Sequence, residues 1–250
     1  IKPQNKTTMI PKRIWENGVC WEIDGNISTR IKILPEKKSY RTTMKVLELF
    51  SGTGSVKKVC DILGWECVSV DITDKYHDVD YKVDILEWDY KQLDKDFDII
   101  WASPPCASFS SMLCIHKHIN IEERMAERGL PLLYKAREII NYFKPQFYFI
   151  ENPERGRMKR FITDLPYYDV TYCRYGFNYK KPTRVWTNIV GFEPKFCNHK
   201  GKHKESIGTT RTGKNKPIGK WTIVNGMVKN KLKDRYSIPQ KLIEDLLICC

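Results

Sequence analysis

From Lys45 to about residue 192, short apolar runs alternate with segments of helical period, and this alternation constrains the fold more than any other feature of the 250 residues. Strands separated by helices line up in one direction, so the pattern predicts an α/β domain: a mostly parallel sheet flanked by helices. The expected strands are Lys45–Phe50, Glu66–Asp71, Phe97–Ala102 and Phe147–Pro153. A helix is expected from Ser55 to Leu63, ending at Gly64, and a second from Ile119 to Phe143, broken near Gly129-Leu-Pro131. A chain of this length holds one full core with room for a small lobe.

Open α/β sheets bind ligands beyond the carboxyl ends of their strands. The first strand runs into Ser51-Gly52-Thr53-Gly54 and then a helix, so the backbone is open to close approach by a ligand at a helix N-terminus. The next strand ends in Asp71, about twenty residues after the glycines, where an acid accepts hydrogen bonds from ribose hydroxyls. Asp84 follows Tyr81-Lys-Val at the start of a short helix; it is either an N-cap or an acceptor for an adenine amino group. Together these describe a nucleoside-cofactor site.

The strand Phe97–Ala102 stops abruptly at Ser103-Pro-Pro-Cys106. Two prolines fix the turn and hold Cys106 at the sheet's carboxyl edge, where a thiol is a candidate nucleophile; the alternative is a buried structural cysteine. Glu151 ends another apolar strand and precedes Asn152-Pro153. Burying a carboxylate favours its protonated form and suits a general acid, while a strand-end carboxylate can also serve only to bind backbone amides. A last patterned block, Tyr175-Gly-Phe-Asn-Tyr-Lys-Lys-Pro-Thr-Arg184-Val-Trp-Thr-Asn188, sets a basic turn before a strand. Pro239 opens a short amphipathic helix near the C-terminus.

The order of these blocks resembles the DNA cytosine-carbon-5 methyltransferases, in particular short phage- or virus-type members, over about residues 44–192 and again near 236–248. The resemblance implies a Rossmann-like S-adenosylmethionine-dependent methyltransferase fold with a small basic target-recognition lobe. Leu47-Glu-Leu-Phe-Ser-Gly-Thr-Gly resembles the family's cofactor motif, so Phe50, Ser51, Gly52, Gly54, Asp71, Ile72, Asp84, Ile85 and Pro104 are expected around S-adenosylmethionine. Cys106 matches the catalytic cysteine, Glu151 and Asn152 the catalytic Glu-Asn pair, and Arg184 the last arginine of a Gln-x-Arg-x-Arg block. The implied chemistry is attack of Cys106, with a lowered pKa, on carbon 6 of a flipped-out cytosine, with Glu151 at N3 and Arg184 at O2. The loop 107–120 would close over the base, with Ser108, Ser110 and Ser111 available to phosphate. Three positions depart from the pattern: Ala107 and Tyr179 stand where the family has Gln, and Lys181 replaces the first arginine. An RNA cytosine methyltransferase on the same fold and a non-catalytic DNA-binding relative are the alternatives.

Charge is concentrated at the flanks. Residues 195–235 carry twelve Lys/Arg against two acids, and residues 1–44 nine against four, so with +13 overall the remainder sums to −2. That distribution favours a polyanion partner, with Lys181, Lys200, Lys202, Lys204 and Arg211 expected to contact nucleic acid. The expected organisation is a basic extension over 1–43, holding a hairpin that turns at Asp24-Gly25-Asn26; a catalytic domain over 44–192; a recognition region over 193–235; and a helix over 236–250 that returns to the catalytic domain. Cys197-x-His199-x-x-x-His203, with Cys173 as a further ligand, is suggestive of zinc but incomplete, and no metal is expected. Nine cysteines without framework spacing point to a reducing, intracellular compartment, and no run of 18 apolar residues or signal peptide is visible. A monomer is expected. If residues 195–235 bind phosphates, neutralising Lys200, Lys202 and Lys204 together lowers affinity for every DNA sequence alike. The log–log salt slope then falls by roughly 0.7–0.9 for each phosphate no longer neutralised, as filter binding at several salt concentrations would show; an unchanged slope makes these lysines solvated charge only.

Overall fold

The computed structural model describes the backbone of residues 12–16 and 19–23, and residues 43–110, 120–198 and 236–250 in full. The chain divides into two compact units, Ile1–Thr42 and Thr43–Cys250. In the first, β1 (Lys12–Glu16) and β2 (Val19–Ile23) pair antiparallel with Glu16 opposite Val19. Val19–Ile23 pairs with the segment before it, and the turn expected at Asp24-Gly25-Asn26, with the run after it, lies outside the described residues. The two strands are separated in sequence by Asn17-Gly18, the dipeptide that favours a two-residue hairpin connection.

The second unit is built on a seven-stranded sheet. Its elements in chain order are β3 (Lys45–Leu49), α1 (Ser55–Leu63), β4 (Glu66–Asp71), β5 (Tyr81–Lys82), β6 (Ile99–Ala102), α2 (Ile121–Arg124), α3 (Leu130–Phe143), β7 (Phe147–Pro153), β8 (Tyr167–Thr171), β9 (Pro182–Thr187) and α4 (Gln240–Leu247). The spatial order is β5-β4-β3-β6-β7-β9-β8. Strands β3 to β7 pair in parallel, and β9 runs antiparallel to both β7 and β8. Strand order reverses at β3, whose neighbours are β4 and β6, so a crevice opens at the carboxyl ends there.

Each face of the sheet is covered by helix, which is why the central strands are apolar on both sides. Val46, Trp101, Phe149 and Val185 pack with Val56, Val59 and Cys60 of α1 and with Leu242, Ile243, Leu246 and Leu247 of α4. The C-terminal helix thus lies on the same face as α1, and the Ile238 N–H just before it donates to Ser55 Oγ at 3.1 Å. On the other face Leu47, Leu49, Ile100, Ala102, Ile150 and Trp186 pack with Leu133, Ala136, Ile139 and Phe143 of α3. The break expected near Gly129 is a π-helical stretch, Met125–Gly129, joining α2 to α3, with Pro131 just after it. Gly129 is needed there because a Cβ would lie 2.9 Å from Cζ of Phe109 and 3.1 Å from Cβ of Ser108.

Glu48, 3% exposed in the middle of β3, fixes the turn from β3 into α1. Its carboxylate accepts from the backbone N–H groups of Val56 and Lys57, in the first turn of α1, at 3.1 Å each, and from Ser51 Oγ at 3.0 Å. It thereby caps a helix from a neighbouring strand. Burial pushes this carboxyl up to about 7, outweighing the hydrogen bonds that pull it down. Because the folded-state value lies above the unfolded one, Glu48's contribution to stability is complete below about pH 4.3 and is lost as pH rises through about 7. Urea unfolding should show that step, roughly 3 kcal/mol at most, in the wild type and not in Glu48→Gln. Parallel pH–stability curves for the two proteins would refute it.

Candidate active site

The Cys106 loop is held from both sides. After β6 the chain turns through Pro104 and Pro105 into a single 3₁₀ turn, Cys106–Phe109. Asn152 Nδ2, on β7, donates to the Pro104 carbonyl at 2.9 Å. Farther on, the Arg157 N–H donates to the Phe109 carbonyl at 2.8 Å and its Nη1 to the Ser110 carbonyl at 3.1 Å. Phe109 is fully buried. Asn152 thus acts on the backbone that carries Cys106, while its Oδ1 is buried without a hydrogen bond among the described residues.

Cys106 is half-buried at the carboxyl edge of β6, and Glu151 is 6% exposed on the adjacent parallel strand β7. Tyr172 Oη donates to Glu151 Oε1 at 2.6 Å, and Lys181 Nζ lies 3.9 Å from the same oxygen. Burial pushes the Cys106 thiol above its ordinary value, the Lys181 charge pulls it back, and Glu151 pushes it up again. This corrects the expectation of a lowered thiol pKa: desolvation outweighs the one cation. The Tyr172 hydroxyl is pushed well above the usual phenol range by burial and by Glu151, so it remains a donor.

Arg184 does not join this cluster, contrary to the expected place at cytosine O2. In the β7–β9 register Arg184 lies opposite Asn152 and Val185 opposite Glu151, so Arg184 sits on the other face of the sheet from Glu151. It is also directly opposite Asp169 on β8 and binds it with two parallel bonds, Nε to Oδ1 at 2.7 Å and Nη2 to Oδ2 at 2.8 Å. Its guanidinium lies 3.5 Å from the centre of the Tyr167 ring. Tyr179 is 2% exposed and packed against Phe177.

The second half of the site is the turn after β3. Phe50, Gly52 and Gly54 adopt left-handed φ of 57°, 55° and 64°. For Phe50 this is a strained conformation of the kind concentrated at ligand-binding turns. A Cβ at Gly52 would meet nothing nearer than the Phe50 carbonyl at 3.7 Å, so the turn is open on that side. The Gly52 N–H donates to Asp71 Oδ2 at 2.9 Å, and the Thr73 N–H to Oδ1 at 3.0 Å, aiming the carboxylate across the carboxyl ends of β3 and β4. Ile72 is 66% exposed beside it, an apolar side chain turned to solvent. Asp84 Oδ1 accepts from the Leu86 N–H at 2.9 Å, the capping arrangement, although a turn rather than a helix follows. Ile85 differs from expectation: its side chain is 5% exposed and packs in the core with Trp88, leaving only its backbone for a ligand. Sequence reasoning missed His77, whose ring covers Gly54 and whose Nε2 lies 2.6 Å from Ser51 Oγ. Open turn, carboxylate and exposed apolar side chain are the donor set a nucleoside-type cofactor needs, and S-adenosylmethionine fits it.

Ser108 is also corrected: it is 7% exposed beneath Gly129 and is not turned outward for phosphate. Ser110 is half-buried. Ser111, Lys200, Lys202, Lys204, Arg211, His199 and His203 lie outside the described residues. The thiols of Cys173 and Cys197 are hydrogen-bonded to each other, and that interaction, after burial, pushes Cys173 up to about 11. Among the described residues no group of three or more His, Cys, Asp or Glu could hold a metal ion, and no helix is long and apolar enough to cross a membrane.

A mostly parallel sheet, an antiparallel β9 inserted between β7 and β8, and a glycine turn after the first parallel strand define an S-adenosylmethionine-dependent methyltransferase fold. The model of the C-5 cytosine-specific DNA methylase family matches residues 44–160. A Frog virus 3 (isolate Goorha) protein described as a probable DNA (cytosine-5)-methyltransferase is 42% identical over 226 residues, spanning 83% of this chain and 100% of its own length. Among solved structures, the Entamoeba histolytica methyltransferase EhMeth is 17% identical with a TM-score of 0.45, covering 66% of this chain and 57% of that one. The S. pombe Dnmt2 methyltransferase is 15% identical with a TM-score of 0.39, covering 61% and 53%. The chain belongs to the C-5 cytosine-specific DNA methylase family.

The two-bond pairing of Arg184 with Asp169 is a structural clasp between β8 and β9. Arg184→Met and Asp169→Asn should each destabilise the fold by about 1–2 kcal/mol, and a double-mutant cycle in urea should show the two losses strongly coupled. Additive losses would disprove the clasp.

Proposed function

We propose that this protein transfers a methyl group from S-adenosylmethionine to carbon 5 of a cytosine in DNA through a covalent adduct at Cys106. The observation that supports this most is the pairing of β6 with β7. It brings a half-buried thiol and a buried carboxyl to the same edge of the sheet, beside the crevice at β3.

Each residue type answers a chemical need. Carbon 5 of cytosine is a weak nucleophile, so a thiolate must first add to carbon 6, and Cys106 is the thiol at the site. Its proton leaves to solvent, which the raised thiol value makes a step favoured by higher pH. Glu151 is hydrogen-bonded through one oxygen to Tyr172 and presents the carboxyl group to ring N3, which gains electron density as sulfur adds. Asn152 holds the Pro104 carbonyl and so fixes the approach of Cys106. When bound, S-adenosylmethionine supplies an electrophilic methyl group. Asp71, Ile72, Asp84, the backbone from Phe50 to Gly54, including Ser51, and the Pro104 side of the Cys106 loop would hold it. Water then takes the carbon-5 proton, the C–H pair re-forms the C5–C6 double bond, and the C6–S bond breaks to release the Cys106 thiolate. A paired cytosine cannot reach a recessed thiol, so the base must leave the duplex. The basic stretch 195–235 and loop 107–120 are the segments suited to hold the strand.

Mass spectrometry of nucleosides from DNA incubated with the protein and S-adenosylmethionine should show 5-methylcytosine. Cys106→Ser should reduce it by roughly 10³-fold or more while calorimetric binding of S-adenosylmethionine persists. DNA carrying 5-fluorocytosine, which cannot lose the carbon-5 proton, should remain bound to Cys106. Substantial turnover by the serine variant would eliminate the covalent route.

A further inference from the structure

The cation expected at cytosine O2, Arg184, is clasped to Asp169 on the opposite face of the sheet, so the base pocket must draw its positive charge from elsewhere. Resting on the function proposed above, we infer that Lys181 supplies the charge at cytosine O2 and beside the Cys106 thiol, and that Tyr172 positions Glu151 so that Oε2 meets ring N3. This moves Lys181 from the DNA backbone, where the charge pattern of the sequence places it, into the base pocket.

Strand periodicity carries the first part. Thr183 and Val185 lie on the Glu151 face of β9, and Lys181, two residues before Thr183, continues that face. The Lys181 carbonyl accepts from the Tyr172 N–H at 3.1 Å and from Thr183 Oγ1 at 3.3 Å, which fixes the base of the side chain. Its ammonium lies 4.5 Å from the centre of the Tyr172 ring and 3.9 Å from Glu151 Oε1. The side chain is 14% exposed. A lysine that reaches phosphates on a duplex extends into solvent; this one is drawn inward over an aromatic ring, beside the Glu151 carboxyl group. Among the described residues, the charged groups that bear on the thiol are Lys181 and Glu151, with Tyr172 behind Glu151.

The hydroxyl of Tyr172 decides which oxygen of Glu151 is offered to the base: its donation to Oε1 leaves Oε2 as the oxygen that meets ring N3. When Cys106 Sγ bonds to carbon 6, its thiol proton having passed to water, the C5–C6 pair shifts to C4–C5. The C4–N3 pair moves onto N3, which takes the Oε2 proton, leaving Glu151 as a carboxylate. Negative charge that develops through N3 also reaches O2, and a desolvated ammonium there stabilises it.

The variants Lys181→Met, Lys181→Arg and Tyr172→Phe separate these roles. Iodoacetamide labelling of Cys106, followed by peptide mass spectrometry across pH, should shift to higher pH in Lys181→Met and return towards wild type in Lys181→Arg. The methyl-transfer kcat of Lys181→Met should fall by roughly 10²-fold while the salt slope of DNA binding stays unchanged. Tyr172→Phe should lower kcat by about tenfold without moving the labelling profile or KM for DNA. An unmoved labelling profile in Lys181→Met, with a salt slope reduced by about 0.9, would make Lys181 a phosphate ligand and overturn the inference. A wild-type protein that forms no 5-methylcytosine would instead overturn the function itself.

Discussion

Parallel pairing of β6 with β7 is the interaction on which the site depends. Ala102 lies opposite Ile150, so β6 ends level with the residue before Glu151 while β7 runs on to Pro153, and the loop after β6 lies beside Glu151 and Asn152. Cys106 and Glu151 are 45 positions apart in sequence, yet they meet because two buried apolar strands must be in register to cover both faces. The Asn152–Pro104 hydrogen bond then converts that register into a fixed position for the thiol loop.

The two faces of the sheet divide the labour. On one, Glu151, Tyr172 and Lys181 form a polar cluster above Val185 and Phe149. On the other, Asn152 supports the loop and Arg184 is tied to Asp169 over Tyr167 and Trp186. A thiol set into this environment is harder to ionise than a free one, since desolvation exceeds what one ammonium returns. The cluster therefore favours water exclusion and charge placement over a standing thiolate.

The cofactor turn rests on a different constraint. Glu48 must be buried to reach the first N–H groups of α1, and the same reach ties Ser51, and through it His77, to the turn. Helix, turn and the loop after β4 are consequently one linked unit, with Asp71 held by the Gly52 N–H at its edge.

Much of this is legible in the chain itself. Alternating apolar runs require a parallel sheet, glycines at 52 and 54 require an open turn, and Pro104-Pro105 requires a sharp stop that presents Cys106; each is a local backbone property. Ile85 and Ser108 escape such a reading because burial depends on which residues fold over them, here Trp88 and Gly129. Arg184 leaves its expected place for a similar reason. The short edge strand β8 has no sequence mark of its own, and Asp169 becomes Arg184's partner only once β8 pairs with β9. Motif order thus determines which residue types gather at the crevice, whereas strand pairing, which joins distant segments, decides which face each side chain occupies.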